Sequence, residues 1–309
     1  MAQHNILTTS RLVHPINLFF VDTFLPYVLG KMPHAQFGKK VKMPARSGVK
    51  IKWGRLSVPT AQTTPMQEDV DPTPIVPTRT DLEATVVEYG AQVHRSEWLD
   101  LTEVTGENAA IMEWLMDTYA LTMDELVKQM LATTASTLTF SSGAVTGTDL
   151  NATDLDTAVQ TLMNQDAERI TPMMGASTKV GTTPVMPSYV GIINVALWST
   201  LKGLAGFREV KNYASQGDIY EGELGQTDGI RWIGTTRGYV SAGTYRLPIL
   251  GKNAYGMVKI PGGEKVLGHK TAEQASSDMD RYSVAYYKTN FVCRILDDLN
   301  MLTAICTKP

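Results

Sequence analysis

The sequence predicts an α+β fold from three observations. Val41 to Ser57 alternates apolar and polar residues, as a strand with one covered face does, and Leu82 to Arg95 is predicted as a second strand. Apolar residues then recur every three or four positions from Ile111 to Met130, which predicts a helix. Alternate residues from Ala285 to Ile295 predict a late strand. Strands grouped before and after a helix are typical of the α+β class.

Composition limits the classes of protein to which the chain can belong. Its 309 residues suffice for one large domain or two ordinary ones. A net charge of -3 and a pI near 6.0 argue against a dedicated nucleic-acid binder. The two cysteines form no disulfide framework, which favours a reducing compartment. No secretory signal and no membrane span is recognisable, so we expect a soluble protein made in the cytoplasm, without a membrane partner.

The first part of the chain is predicted to be an arm followed by a projecting hairpin. Residues 1–40 carry isolated apolar side chains that cannot form a core alone, so this arm must pack on its own subunit or on a neighbour. The two predicted strands are joined by 23 residues with five prolines, which exclude helix and interrupt strand pairing. A loop of this length is unusual inside a compact domain, and residues 41–96 are therefore expected to project as a hairpin.

The charges of this hairpin are segregated. Eight Lys or Arg and no acid lie between Lys31 and Arg55, whereas six acids and only Arg79 lie between Met66 and Glu88. The two sets can pair within the hairpin, or they can meet complementary patches on adjacent copies and fix orientation and register. The candidate intersubunit contacts are Lys39, Lys40, Lys42, Arg46, Lys50, Lys52, Arg55, Glu68, Asp69, Asp71, Glu83 and Glu88.

A long helix and a strand–helix–strand block are predicted next. The apolar stripe predicts a helix from Val104 to Leu138 of roughly 45 Å that lies along a sheet as a spine. A shorter helix is expected from Asp154 to Asn164. The block from Tyr189 to Arg237 then comprises a buried strand, a short helix, a basic-aromatic turn, a Gly-rich acidic turn and a second strand.

Motifs of catalysis and ligand binding are missing from the sequence. The five histidines show no metal-ligand spacing, and neither a phosphate-binding nor a nucleophile motif occurs. We therefore predict no catalytic, metal or cofactor site and no enzymatic activity. The basic segment could touch DNA phosphates non-specifically, although the acidic segment competes for the same side chains.

Three segments resemble the major capsid proteins of tailed bacteriophages, of the podovirus type. They are Trp98 to Asn108 (WLDLTEVTGEN), Phe207 to Tyr213, and Tyr220 to Thr235, which fits the pattern G-E-[LI]-G-x-x-x-G-[IV]-[RK]-[FW]-[IV]-x-[TS]. The order of elements is also similar to the HK97-like capsid fold. The resemblance implies an N-terminal arm (1–40), an E-loop (41–96), a peripheral domain with the spine helix (97–150 and 253–309) and an axial domain (151–252).

The resemblance also implies a function and its partners. The chain would self-assemble into hexamers and pentamers of an icosahedral head around double-stranded DNA, and would be located in the virion after synthesis in the host bacterial cytoplasm. A separate scaffolding protein, a portal and a decoration protein are implied as partners. Two alternatives stay open: an encapsulin-like shell protein, and a soluble enzyme whose site converges from distant residues.

Overall fold

The computed structural model describes residues 6–7, 32–44, 46–66, 68, 71–102, 108–171, 186–213, 219–260, 265–275, 279 and 281–309. The predicted arm (1–40) therefore lies mostly outside the described residues. The helices are α1 (Glu97–Thr102), α2 (Asn108–Leu131), α3 (Ala152–Asn164) and α4 (Trp198–Lys202). The strands are β1 (Ile6–Leu7), β2 (Lys39–Lys42), β3 (Lys50–Leu56), β4 (Arg79–Thr85), β5 (Val87–Ser96), β6 (Thr137–Thr139), β7 (Tyr189–Asn194), β8 (Arg208–Glu209), β9 (Glu223–Thr227), β10 (Ile230–Thr235), β11 (Tyr239–Ser241), β12 (Thr244–Leu250), β13 (Tyr255–Lys259), β14 (Lys265–Lys270), β15 (Tyr282–Ile295) and β16 (Met301–Thr307).

The first sheet supports the long helix. Its six strands run in the order β1-β5-β15-β13-β2, with β14 also paired to β15. Strands β5 and β15 are antiparallel over ten residue pairs, from Tyr282 opposite Ser96 to Phe291 opposite Val87. Helix α2 contacts β15, β5 and β14. Alternate residues of β15 face it, and Ala285, Tyr287 and Phe291 are buried in the shared core, as their spacing predicts.

Helix α2 carries the predicted apolar stripe. Ile111, Leu115, Tyr119 and Met123 are buried against the sheet, which removes apolar surface from water and fixes the helix along it. The predicted end at Leu138 is wrong, because α2 ends at Leu131. The following threonine-rich segment forms strand β6 instead, since β-branched residues pack well in a sheet and weaken a helix. The predicted first residues, 104–107, lie outside the described residues.

The second sheet has eight strands in the order β6-β16-β12-β7-β10-β9-β8, with β11 also paired to β12. The predicted strands of the Tyr189–Arg237 block are β7 and β10, which pair in parallel. Helix α3 packs on this sheet through Leu155, Ala158 and Leu162. Its N-cap is Asn151, whose side chain accepts a hydrogen bond from the Asp154 N–H at 2.9 Å.

The two sheets are not divided at the predicted domain boundaries. Strand β6, within 97–150, and strand β16, within 253–309, both belong to the eight-stranded sheet with the strands of 151–252. The boundaries and the sheets differ because the chain crosses to the eight-stranded sheet after β15, where β16 pairs with β12 over seven residues. The division into arm, E-loop, peripheral domain and axial domain remains a prediction.

The hairpin strands β3 and β4 form a third sheet of their own. They pair from Lys50 opposite Thr85 to Leu56 opposite Arg79. The single strand predicted from Val41 to Ser57 is divided in two. Pro44 and the positive-φ residues Arg46 (φ 67°) and Gly48 (φ 90°) turn the chain there, so β2 joins the six-stranded sheet and only β3 enters the hairpin.

Candidate intersubunit surface

The predicted basic contacts lie on strands β2 and β3 and on the turn between them. Strand β2 runs parallel to β13, with Lys39 opposite Gly256 and Lys42 opposite Lys259. Arg46 lies in the turn, and Lys50, Lys52 and Arg55 lie on β3, whose alternate residues Ile51 and Trp53 are partly buried. The alternation predicted for this strand therefore holds, and it turns the lysines of β3 to solvent.

Some of these charges pair within the subunit. Lys52 pairs with Glu83 on the facing strand, and the hydrogen bond from Lys52 lowers the pKa of Glu83. Arg55 Nη1 donates to Asp297 Oδ1 at 2.6 Å, which ties the hairpin to the segment after β15. Glu88 pairs with Lys288 across β5 and β15. Pairing within the chain, one of the two alternatives, therefore accounts for part of the set.

The remaining basic side chains face solvent. Five of them are exposed and form no ion pair with any described residue: Lys39, Lys40, Lys42, Arg46 and Lys50. At the far end of the hairpin, Glu68 and Asp71 are exposed as well, whereas Asp69 lies outside the described residues. The predicted set is thus not gathered into one cluster. Its members that form no ion pair with a described residue are divided between a basic base and an acidic tip of the hairpin.

Apolar side chains accompany the acids near the hairpin tip. Val58 is 73% exposed, Met66 77% and Val76 84%, and Ile75 is exposed too. A two-stranded hairpin is marginally stable alone in water, and exposed apolar clusters mark interaction surfaces. The hairpin therefore has the character of a surface that another molecule covers.

A buried ion pair supports the Gly-rich acidic turn, and sequence analysis missed it. Arg231 of β10 donates from Nε to Glu223 Oε1 at 2.7 Å and from Nη2 to Oε2 at 2.5 Å. The Tyr213 hydroxyl donates to the same carboxylate at 2.9 Å, and the Tyr220 N–H at 3.0 Å. Tyr213 and Tyr220, the two ends of the segment 213–220, thus both donate hydrogen bonds to the Glu223 carboxylate. Burial raises the pKa of Tyr213, which keeps its hydroxyl proton for this hydrogen bond.

One feature of the sequence could have revealed this pair. Arg231 stands between Ile230 and Trp232, both fully buried, so a charge in this strand requires a buried partner. Gly225, in the same motif, allows the close approach of β8, because a Cβ there would lie 2.2 Å from the Arg208 carbonyl oxygen. The motif therefore encodes an internal support of the fold.

A second buried pair anchors the end of the arm. The His34 N–H donates to Asp124 Oδ1 at 2.9 Å, and the His34 Nδ1 lies 2.9 Å from Oδ2. The Tyr255 hydroxyl donates to the His34 carbonyl oxygen. At this point the arm packs on helix α2 of its own subunit.

Within the residues that the structure describes, no group of three or more His, Cys, Asp or Glu could hold a metal ion. None of the described helices combines the length and the apolarity that crossing a membrane requires.

The fold is similar to that of solved phage capsids. No protein-family model and no curated protein matches the sequence. The capsid structure of the cyanophage P-SCSP1u is 11% identical with a TM-score of 0.58, and the match covers 100% of this chain and 93% of that one. The capsid of Ralstonia phage GP4 is 12% identical with a TM-score of 0.59 and 87% coverage of both chains. The head of Helicobacter pylori bacteriophage KHP40 is 11% identical with a TM-score of 0.58, again with 87% coverage of both.

Because the identities are only 11% to 12%, these matches show the fold alone. The chain has the fold of phage capsid subunits, and the predicted HK97-like α+β fold is confirmed.

Proposed function

We propose that this protein is a major capsid protein that self-assembles into the hexamers and pentamers of an icosahedral phage head. The observation that carries the proposal is the hairpin β3–β4, which pairs with no other strand among the described residues and exposes charged and apolar side chains along its length. Such a hairpin gains stability when neighbouring copies cover it, because binding stabilises the bound state. The fold match over the whole chain supports the same function.

The role is structural and non-enzymatic in this proposal. Its location is the virion capsid, around packaged double-stranded DNA that the basic surface contacts without sequence specificity. Scaffolding, portal and decoration proteins are its proposed partners, and the host cytoplasm is the proposed place of synthesis. The podovirus-type subclass stays a prediction.

Electron microscopy of particles purified from cells that express the chain tests self-assembly. Closed shells of uniform diameter are expected, and a stable monomer or dimer at high concentration would refute the proposal. If heads assembled with the other phage proteins protect DNA from nuclease, that result supports the proposal of a phage head. Shells that never enclose DNA would favour an encapsulin-like protein.

Charge reversal tests the intersubunit role of the hairpin. Lys50→Glu combined with Lys52→Glu should reduce the yield of shells more than it lowers the free energy of unfolding of the subunit. Both side chains are exposed, and the pair of Lys52 with Glu83, which the variant also breaks, is a surface pair with a small stabilising effect. The matched control is Lys270→Glu, which reverses an exposed charge on β14 of the six-stranded sheet. If the double variant forms shells as well as the control does, the hairpin charges are not assembly contacts.

A further inference from the structure

Residues 33–38, which we call the strap, lie where helix α2 meets the eight-stranded sheet. A 3-10 turn (Pro33–Ala35) opens the strap and places His34 against α2, where it is almost fully buried. His34 also lines a small cavity together with Tyr239 of β11 and Arg246 of β12. The strap therefore contacts the helix of the first sheet and strands of the second.

The conformation of the strap is fixed from the side of the six-stranded sheet. Both oxygens of the Asp124 carboxylate contact His34, at 2.9 Å each. Tyr255 of β13 donates its hydroxyl proton to the His34 carbonyl oxygen, and its ring leaves no room for a side chain at Gly38. Backbone hydrogen bonds from Phe37 and Gly38 reach the same hydroxyl oxygen. Hydrogen bonds of buried groups are costly to break, because the groups left behind lose their partners, so these contacts hold the strap in one conformation.

The ring of Phe37 extends the strap to the eight-stranded sheet. It meets the Tyr220 ring edge to face, with 5.1 Å between the ring centroids and 88° between the ring planes. The Arg231 guanidinium lies 4.6 Å from the centroid of the same Tyr220 ring. Tyr220 also donates its backbone N–H to Glu223, the carboxylate that Arg231 binds. Phe37 is thus one side chain away from the buried ion pair that supports the turn of residues 220–223.

Two buried polar pairs therefore lie at the two ends of one series of contacts. The pair of His34 with Asp124 holds the strap to α2, and the pair of Arg231 with Glu223 holds the turn to β10. The backbone of the strap and the ring of Phe37 connect them. Packed contacts of this kind carry energetic coupling between sites, because a shift of one group displaces the next.

We propose that the strap couples its anchor on α2 to the turn of residues 220–223, so that release of His34 from Asp124 loosens the turn. Phe37 is the side chain that transmits the change. Because the strap continues directly from the arm, a molecule that binds the arm and displaces His34 alters the eight-stranded sheet without touching it. This coupling operates within one subunit and is independent of capsid assembly.

Amide hydrogen exchange of the full-length, unassembled subunit tests the coupling. Asp124→Leu removes both acceptors of His34 and should raise the exchange rate of the Tyr220 N–H about threefold or more, since groups in one network of contacts are coupled by at least this factor. The Asp154 N–H, which donates to Asn151 at the start of α3, is the control amide and should keep its rate. Equal acceleration of both amides, or no acceleration at Tyr220, would overturn the proposal. If Asp124→Leu does not fold, the milder Asp124→Asn takes its place.

A second background identifies the side chain that transmits the change. Phe37→Leu keeps an apolar side chain but removes the ring that contacts Tyr220. In this background Asp124→Leu should no longer change the Tyr220 exchange rate, because two sites that share no contact behave additively. The matched control is Tyr89→Leu, which shortens another partly buried aromatic side chain of the same core and should leave the coupling intact. If the effect of Asp124→Leu is as large with Phe37→Leu as without it, Phe37 does not transmit the change and the proposal is wrong.

The reverse direction provides an independent test, because energetic coupling between two sites is reciprocal. Glu223→Gln weakens the turn, and the His34 N–H, which donates to Asp124, should then exchange faster by a larger factor than the Asp154 control amide. With Phe37→Leu added, this difference should disappear. A His34 rate that rises no more than the Asp154 rate would overturn the proposal.

Discussion

Breaking the buried pair of Arg231 and Glu223 by removing one partner should cost more stability than breaking any exposed ion pair among the described residues. The two side chains are only 2% and 0% exposed. Replacing Glu223 by Gln keeps the shape of the side chain but leaves the guanidinium without a counter-charge. Removal of one partner from a buried pair costs about 3–5 kcal/mol, because the remaining charge stays desolvated. We expect a loss of this size in the free energy of unfolding of the unassembled subunit.

The comparison that isolates burial uses the exposed pair of Lys252 and Glu168. Their side chains are 52% and 62% exposed, and the Nζ–Oε1 distance is 2.5 Å. Glu168→Gln should therefore cost only about 0–1 kcal/mol, the usual value for a surface pair. Urea unfolding followed by circular dichroism measures both variants under the same conditions. If Glu223→Gln loses no more stability than Glu168→Gln, the reasoning from burial is wrong.

A double variant separates the uncompensated charge from the lost hydrogen bonds. Glu223→Gln combined with Arg231→Met removes the buried cation and retains an amide oxygen that can accept from the Tyr213 hydroxyl or the Tyr220 N–H. Part of the lost stability should return, because an apolar side chain in this site carries no desolvation cost. A double variant that is less stable than Glu223→Gln alone would show that the guanidinium stabilises the site by contacts other than its pairing with Glu223.

Three further predictions concern local structure. Asn151→Ala removes the cap of α3 and should lower the free energy of unfolding by about 1 kcal/mol, measured by urea unfolding, whereas no change would contradict the capping role. Burial raises the pKa of Asp154, but hydrogen bonds from Asn151, Ser142 and Ser141 outweigh it, so the folded pKa lies below its ordinary value. This stabilisation is present above the unfolded pKa and is lost as the pH falls through the folded pKa, so Asp154→Asn should weaken the acid dependence of stability, and an unchanged acid profile would contradict this assignment. Burial raises the pKa of Cys306 to about 12, so its alkylation at pH 8 should require unfolding, and rapid labelling of the folded subunit would be the contrary result.

Local patterns in the sequence predicted most of the regular elements. The stripe from Ile111 to Met130 identified α2, because the helical period places those side chains on one face whatever the helix packs against. The alternation around Ile51 and Trp53 identified β3, because the two-residue period of a strand places alternate side chains on one face. These patterns depend only on near neighbours along the chain.

These local patterns do not predict which residues distant in the sequence pair with each other. Arg231 is eight residues from Glu223 and could have been matched with it, since a cation among buried neighbours requires a counter-charge. Asp124 is 90 residues from His34, and its position in the stretch of α2 that faces the arm is visible only in the folded molecule.

The sequence by itself determined the class of the fold, the helix with its buried stripe, the hairpin and the separation of its charges. Only the tertiary structure decided which of these charges are satisfied. It paired Lys52 with Glu83 and Arg55 with Asp297, and it left the cations of β2 exposed at a sheet edge. The physical reason is that a charge pattern gives the sign of an interaction, whereas backbone pairing sets the distance over which it acts, and distance decides which partner each charge meets.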